Sequence, residues 1–347
     1  MRNETVAIIV PTKNRSQFIR RFLHFNLKNN SRNKIYIADS SDEGFHLEGI
    51  QEAIKEVSPE LKVVYGHYPD CNIEEAKRRI LDKVDETYSA FCGDDDFLIP
   101  SSIEKCADFL ESNPNYSNCH GSGLVVRLDG DVSLSGQVSD IFTYDLLPNE
   151  WDTPKERLEN FLKNYWSIWS VYRTEEYKHT LLLLKEIPVE SFREMTMGCI
   201  PIIKGKTKLL DCLYVVRQDH DTRFESPELS QAFYHEGWYE SYKKMESIVS
   251  ALLSKEENIE LKIAEGHFRD GFSYYYNSEL RSELIEDKVS FFNRIKNKAS
   301  RVLSSLMLHA LKNPILRPIF FNFLSFNPSY RLESIKIINF LKEYKPL

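Results

Sequence analysis

The run Val6-Ala-Ile-Ile-Val10 is apolar at every position. A strand with one solvated face alternates apolar and polar side chains, so an unbroken run predicts a strand buried on both faces. Such a strand needs helices above and below its sheet, and the chain supplies the pattern. Ser16 to Asn29 reads as a helix with Phe18, Phe22 and Phe25 on one side, and Lys34 to Ala38 as a second strand ending at Asp39. Lys62 to Tyr65 reads as a third strand. Asn72 then reads as an N-cap, with Glu75 as its capping-box partner, for a helix running to about Glu86. Tyr88 to Cys92 is a fourth strand, and Ser101 caps a helix to Ser112. This β-α-β-α-β-α-β series predicts an α/β fold with a Rossmann-like, mostly parallel, doubly wound sheet. Ligands of such sheets lie at the C-terminal ends of the strands.

The next hundred or so residues are mixed. Leu124 to Leu134 reads as a hairpin around Asp129-Gly130, Trp166 to Tyr172 as a strand, Ser191 to Gly198 as a short helix and Leu209 to Val216 as a strand. After Ser226 the pattern is helical almost to the end.

Composition excludes several classes. The 347 residues are 42% hydrophobic and 28% charged, which is globular rather than disordered. No apolar run approaches the roughly 18 residues of a membrane span. The six cysteines have no C-x-x-C spacing, so they read as reduced thiols of a cytoplasmic protein rather than a zinc or redox motif. A net charge of −7 argues against a nucleic-acid partner. That charge is uneven. Residues 289–332 hold seven Lys/Arg and no Asp or Glu, which leaves −14 on the remainder. Within this segment, 294–311 reads as a basic amphipathic helix, followed by the Phe-rich run Ile319-Phe-Phe-Asn-Phe-Leu324. Two expectations stand side by side: peripheral attachment to an anionic membrane, at the inner face of the cytoplasmic membrane, or a helical lid on the acidic remainder.

The chemistry concentrates at strand ends. Gly93-Asp94-Asp95-Asp96-Phe97 follows the fourth strand directly. Adjacent carboxylates repel unless a cation or donor groups compensate, and oxygen ligands suit Mg²⁺ or Mn²⁺. A solvated acidic turn is the plain alternative. After the first strand, Pro11-Thr12-Lys13-Asn14-Arg15 offers hydrogen bonds to a base and cations to phosphate. After the second, Asp39 and Ser41 offer acceptors to a ribose or a base. Lys77, Arg78 and Arg79 lie one turn into the third helix, where one or two could reach a diphosphate. Trp166 and Trp169 are either sugar-stacking rings or core.

Together, Val6–Arg15, Asp39-Ser-Ser41, Ala76-Lys-Arg78 and Gly93-Asp-Asp-Asp-Phe-Leu-Ile-Pro100 resemble the nucleotide-sugar half of family 2 glycosyltransferases, and within them a bacterial subgroup. The resemblance covers about residues 5–225. It implies the GT-A fold, with a nucleotide-sugar half at about 1–118 and an acceptor half at about 119–225, to which the pattern itself adds a helical C-terminal region over 226–347. It implies a DXD-like metal site. Read literally, the outer carboxylates are Asp94 and Asp96; registered on Phe97 and Pro100, the ligand is Asp95, so all three remain in play. It implies His220 as a further metal ligand after the last strand, and Glu194, near the start of a helix, as the catalytic base, with Glu190 its rival. Arg217, Gln218 and Arg223 would cover the diphosphate. The implied activity is that of a hexosyltransferase-type enzyme in polysaccharide biosynthesis. It would be Mn²⁺- or Mg²⁺-dependent and inverting, moving a sugar from a nucleoside-diphosphate donor, a UDP-sugar ahead of others, to a glycan or lipid-linked acceptor. The alternatives are a non-catalytic glycan- or nucleotide-binding protein on the same fold and a nucleotidyltransferase. The last would want a glycine-rich phosphate loop where Pro11–Arg15 has no glycine.

Overall fold

The computed structural model describes residues 6–129, 137–166, 169–221, 235–278 and 328–344. Its centre is a nine-stranded sheet in the order β3-β2-β1-β4-β8-β6-β9-β5, with β7 paired to β6. The strands β1 (Val6–Thr12), β2 (Lys34–Asp39), β3 (Val63–His67) and β4 (Tyr88–Phe91) are mutually parallel. Every residue of β1 is buried, as its unbroken apolar run requires. Beyond β4 the sheet is mixed: β8 (Val171–Arg173) runs antiparallel to β4 and β6, while β6 (Tyr116–Asp129) and β9 (Lys206–Asp219) are parallel over most of their length.

Pro11 fits inside this sheet because of register. Ile9 accepts from the Cys92 amide on the β4 side, and Pro11 faces the same way two residues on. By then β4 has ended, so the donor that proline lacks has no ladder partner to lose.

Several elements differ from the sequence expectation. Helix α1 (Ser16–Lys28) buries Phe18, Phe22 and Phe25 as expected. The chain between β2 and β3 forms α2 (Phe45–Val57), entered through Gly44 at φ 111°, where a side chain would be strained. Helix α3 (Ile73–Leu81) is capped by Asn72, whose side chain accepts from the Glu75 amide at 2.9 Å. The reciprocal half of the capping box is replaced: the Glu75 carboxylate pairs with Arg78 and Arg79 instead. The helix stops at Leu81 rather than Glu86, because Glu86 turns back to accept from the Tyr36 hydroxyl beside Lys34. Helix α4 (Pro100–Ser112) begins one residue before Ser101, with Pro100 in the first turn, where its missing donor costs nothing.

A β6–β7 hairpin is present, but its second strand β7 is Gln137–Tyr144 rather than the expected residues up to Leu134, with Asp129 opposite Gln137; residues 130–136 lie outside the described residues. Helix α5 (Pro154–Lys163) carries a full capping box between Thr153 and Glu156. The expected strand from Trp166 is only the three residues of β8, followed by α6 (Thr174–Leu184). The short helix expected from Ser191 is α7 (Glu190–Lys204), which runs on through Pro201. Both tryptophans in question are core: Trp166 packs against Phe161 at 5.0 Å and Trp169 against Phe91 at 5.5 Å.

Helices α8 (Trp238–Glu257) and α9 (261–278) pack against α7 through Phe192, Trp238, Tyr242, Phe268 and Phe272. The last helix, α10 (Pro328–Glu343), returns to the first half of the chain, where Phe340 meets Phe25 and the Phe97 ring of β5 (Phe97–Leu98). The basic segment 289–332 lies outside the described residues except for the start of α10, as does Arg223. Among the described residues no helix is long and apolar enough to cross a membrane.

Candidate active site

The parallel strands deliver their loops to one edge. After β1, the Thr12 hydroxyl donates to Asp94 at 2.7 Å, and the Arg15 guanidinium spans Asp94 (2.5 Å) and Asp95 (2.8 Å). Asn14 takes φ 55°, a left-handed conformation that asparagine tolerates better than most residues. Its amide donates to the Ser41 hydroxyl at 2.7 Å, and its side chain exchanges hydrogen bonds with Asp42. Asn14 and Ser41 thus staple the first loop to the second. Lys13 stays exposed.

Asp39 is buried at the end of β2. One of its oxygens accepts from the Ser41 amide at 2.8 Å and the other from the Tyr65 hydroxyl at 2.6 Å. Its acceptors are therefore shared with the protein, and His67 is also joined to this loop, bonded to the Ser41 carbonyl.

The acidic triplet is not a solvated turn. Asp94, Asp95 and Asp96 are 4%, 7% and 4% exposed. Each has a different set of partners. Asp94 has Thr12 and Arg15. Asp95 lies between Arg15 and His220, whose Nε2 is 3.2 Å from the same Oδ2 that Arg15 contacts. Asp96 accepts from the Gln218 amide at 2.9 Å, with Arg217 at 3.8 Å. These environments set Asp95 apart from its two neighbours. Burial raises Asp94 to about 7 against the pull of Arg15. Burial, reinforced by the Asp95 charge, raises Asp96 to about 7 as well. Burial works on Asp95 too, but His220 and Arg15 together outweigh it and hold this carboxyl well below the usual range.

Arg217 and His220 come from the end of β9, brought alongside the triplet because β5 pairs with β9 directly after it. Arg217 also lies over the rings of Tyr144 (5.0 Å) and Trp169 (5.4 Å). Tyr144 leads toward the second half of the site. It lies in the electrostatic neighbourhood of Tyr165, as does Glu194. Glu194 is exposed, in the second turn of α7. Glu190, its rival, is ion-paired to Arg193, which also donates to the Ile187 and Pro188 carbonyls. Arg78 is engaged with Glu75, and the buried Lys77 with Glu74 at 2.7 Å, its ammonium 4.9 Å from the Phe91 ring.

Sequence reasoning passed over Phe18, Tyr65 and Tyr144. Phe18 carried a signal, since it follows Arg15 by one helical turn and so shares its side of the helix start. Tyr144 carried none, because its place depends on the hairpin register.

The comparisons bear on identity. Residues 7–166 match the family model described as Glycosyl transferase family 2. No curated protein matches the chain. Among solved structures, S. aureus TarS 1–349 in complex with UDP-GlcNAc aligns with a TM-score of 0.51 at 14% identity, covering 98% of this chain and 90% of that one. S. aureus TarS 1–349 without that ligand aligns at 0.44 and 13% identity, covering 80% and 92% respectively. At 14% identity the first of these likenesses speaks for the fold alone. Residues 7–166 thus resemble glycosyl transferase family 2, and the chain shares the GT-A-like fold of S. aureus TarS 1–349.

Proposed function

We propose that the chain is a metal-dependent, inverting transferase that moves a sugar from a UDP-sugar to a hydroxyl of a glycan or lipid-linked acceptor. The observation that carries this is the convergence of Thr12, Arg15, the Asp39–Ser41 loop and the buried acidic triplet at the C-terminal ends of β1, β2 and β4, inside the family 2 segment. The choice of uridine follows the fold likeness to a protein solved with UDP-GlcNAc.

Among the described residues no three His, Cys, Asp or Glu side chains form a ready-made metal cage. The donor set still fits Mn²⁺ or Mg²⁺, which are commonly held by one or two protein ligands completed by phosphate oxygens. Asp95 and His220 face each other at 3.2 Å and would be those ligands. Asp95 is the carboxylate of the triplet that His220 reaches, which favours the Asp95 register. A bound ion would supply charge stabilisation to the diphosphate leaving group. Arg15 would bind the diphosphate, and Arg78 would add a second cation on releasing Glu75. The Asp39–Ser41 loop would orient the nucleoside, with Thr12, Asn14 and Pro11 fixing its floor. Glu194 would take the proton of the acceptor hydroxyl as that oxygen bonds the anomeric carbon and the bond to the diphosphate breaks on the opposite face. The basic run 289–332 would hold the enzyme peripherally to an anionic membrane, where a lipid-linked acceptor presents its glycan.

The test is calorimetric titration of UDP, ADP and GDP into the full chain, with Mn²⁺ and with EDTA. UDP binding that needs Mn²⁺, and loses that need in Asp95→Ala, supports the reading. Equal binding in EDTA overturns the metal, and preference for a purine nucleotide overturns the donor.

A further inference from the structure

We infer that Phe18 is the positioning residue of this site: its ring holds Arg15 and His220 in register on a single oxygen of Asp95, and so sets affinity for a nucleoside diphosphate with its divalent cation. The inference rests on the site assignment just proposed.

Arg15 and His220 lie 205 positions apart in sequence and arrive from opposite sides, one at the start of α1 and the other after β9. Both reach Asp95 Oδ2, at 2.8 and 3.2 Å. What they share besides that oxygen is the Phe18 ring. The Arg15 guanidinium carbon is 4.1 Å from the ring centroid. The His220 imidazole stacks on the ring at 5.3 Å between centroids, the planes only 14° apart. A third group, Arg21, lies 5.1 Å away on the next turn. Phe18 itself is 3% exposed and fixed in the first turn of α1, its amide bonded to the Arg15 carbonyl at 3.0 Å.

The physical argument is one of shape and quadrupole. Arginine loses rotamer entropy when held in one geometry, and a flat aromatic face offsets part of that loss by attracting the cation and matching its plane. An imidazole that must present one nitrogen to a carboxylate needs its plane set, and a near-parallel neighbour sets it. Leucine at position 18 would fill most of the space but would leave both planes free to turn. Such a role differs from that of Phe22, which is equally buried one turn further along α1 and is not part of this stack.

The experiment compares wild type, Phe18→Leu, Phe18→Tyr and Phe22→Leu as full chains. Calorimetry with UDP in excess Mn²⁺ gives affinity, thermal melting gives stability, and the carbon-bound imidazole protons of His220 give ring orientation by NMR. Phe18→Leu should weaken UDP binding roughly three- to thirtyfold, the span of one or two lost ring contacts. It should also move the His220 resonances as the ring current disappears. Phe18→Tyr keeps the face and should restore both. Phe22→Leu should lower the melting temperature with affinity and His220 resonances unchanged. The inference is overturned if Phe18→Leu binds UDP like wild type, or if Phe22→Leu weakens binding equally, which would make the effect a general loss of core. The His220 resonances are read without nucleotide. A wild type that ignores UDP therefore sinks the donor assignment, while an unmoved imidazole in Phe18→Leu sinks the positioning role.

Discussion

His120 should make the protein acid-sensitive by an amount that the structure allows to be worked out. It lies on β6, 1% exposed, with Nδ1 3.0 Å from the Gly121 carbonyl. Burial lowers it to about 4, against the lift of its bonds to the Gly121 and Leu147 carbonyls. An unfolded chain takes up this proton near 6.5, while the folded chain resists until about 4. Between those values the unfolded state binds more protons, so the contribution is fully present above about 6.5 and is lost as pH falls toward 4. Integrating between pH 7.5 and 5.0 gives a loss of about 2 kcal/mol, out of roughly 3 kcal/mol over the full range. The perturbation is His120→Asn, which keeps a donor for the Gly121 carbonyl and cannot titrate. Its smaller side chain costs a constant amount at every pH. Asp94 and Asp96, both raised to about 7, titrate in the opposite sense, but they do so in both proteins and cancel in the difference. Urea unfolding at pH 7.5, 6.25 and 5.0 reads the result. The stability gap between wild type and His120→Asn should move by about 2 kcal/mol in favour of the variant as pH falls. Parallel profiles, within about 0.5 kcal/mol, would refute the claim that His120 is held neutral by burial.

Three further outcomes are expected. Glu194→Gln should bind UDP with Mn²⁺ as wild type does while transfer falls roughly 10²- to 10⁴-fold, the span of a lost general base; near-normal turnover would move that role to Glu190 or elsewhere. Phe340→Ala, removing a ring packed between Phe25 at 5.5 Å and Phe97 at 5.8 Å, should cost about 3 kcal/mol in urea unfolding; an unchanged midpoint would show that α10 does not hold the sheet. Neutralising Arg294, Lys296, Lys298 and Arg301 to Gln should reduce sedimentation with anionic vesicles at low salt, whereas wild type that ignores such vesicles would leave the segment no membrane role. Substitution is the proper design here, because truncation before residue 289 would also remove α10, whose Ile337, Phe340 and Leu341 are buried.

What was legible in the sequence followed from local chemistry. The strand of Val6–Val10 is readable because nothing but two-sided burial suits five apolar residues in a row. The Asn72 cap is readable because the side chain needs only a neighbour three residues on. Three helices escaped, α2, α5 and α6, and the first two did so for different reasons. Thr153-Pro-Lys-Glu156 displays a proline-led capping box and could have been read. Helix α2 could not be read so readily, since its entry depends on Gly44 turning at φ 111°. Of the residues named from the sequence, Thr12, Arg15, the acidic triplet, Arg217 and His220 lie together, while Arg78 is engaged by Glu75, and the partners of each were out of reach. That Asp39 shares its oxygens with Tyr65, or that Arg217 lies between Asp96 and two aromatic rings, depends on strand register, and a shift of one residue would turn each side chain to the other face.

The acidic triplet is the hardest feature to explain by stability alone. Three consecutive carboxylates, all nearly inaccessible, are countered by two guanidinium groups, an imidazole, a hydroxyl and a backbone amide. Buried ion pairs of this kind seldom stabilise a fold more than apolar side chains of the same volume would, because desolvation consumes most of the attraction. Asp94 and Asp96 show the imbalance directly, since both remain raised to about 7 in spite of their partners. Only Asp95, with two cationic or potentially cationic neighbours on one oxygen, stays strongly acidic. A core built for stability would place an apolar turn there. Perturbed groups with specific partners at the end of a parallel sheet instead mark a place where charge is to be exchanged with a ligand. Arg217 extends that logic, since it pairs with Asp96 at 3.8 Å while its guanidinium lies over the rings of Tyr144 and Trp169, so that the charge on the triplet and the neighbouring aromatic side chains are held by one group.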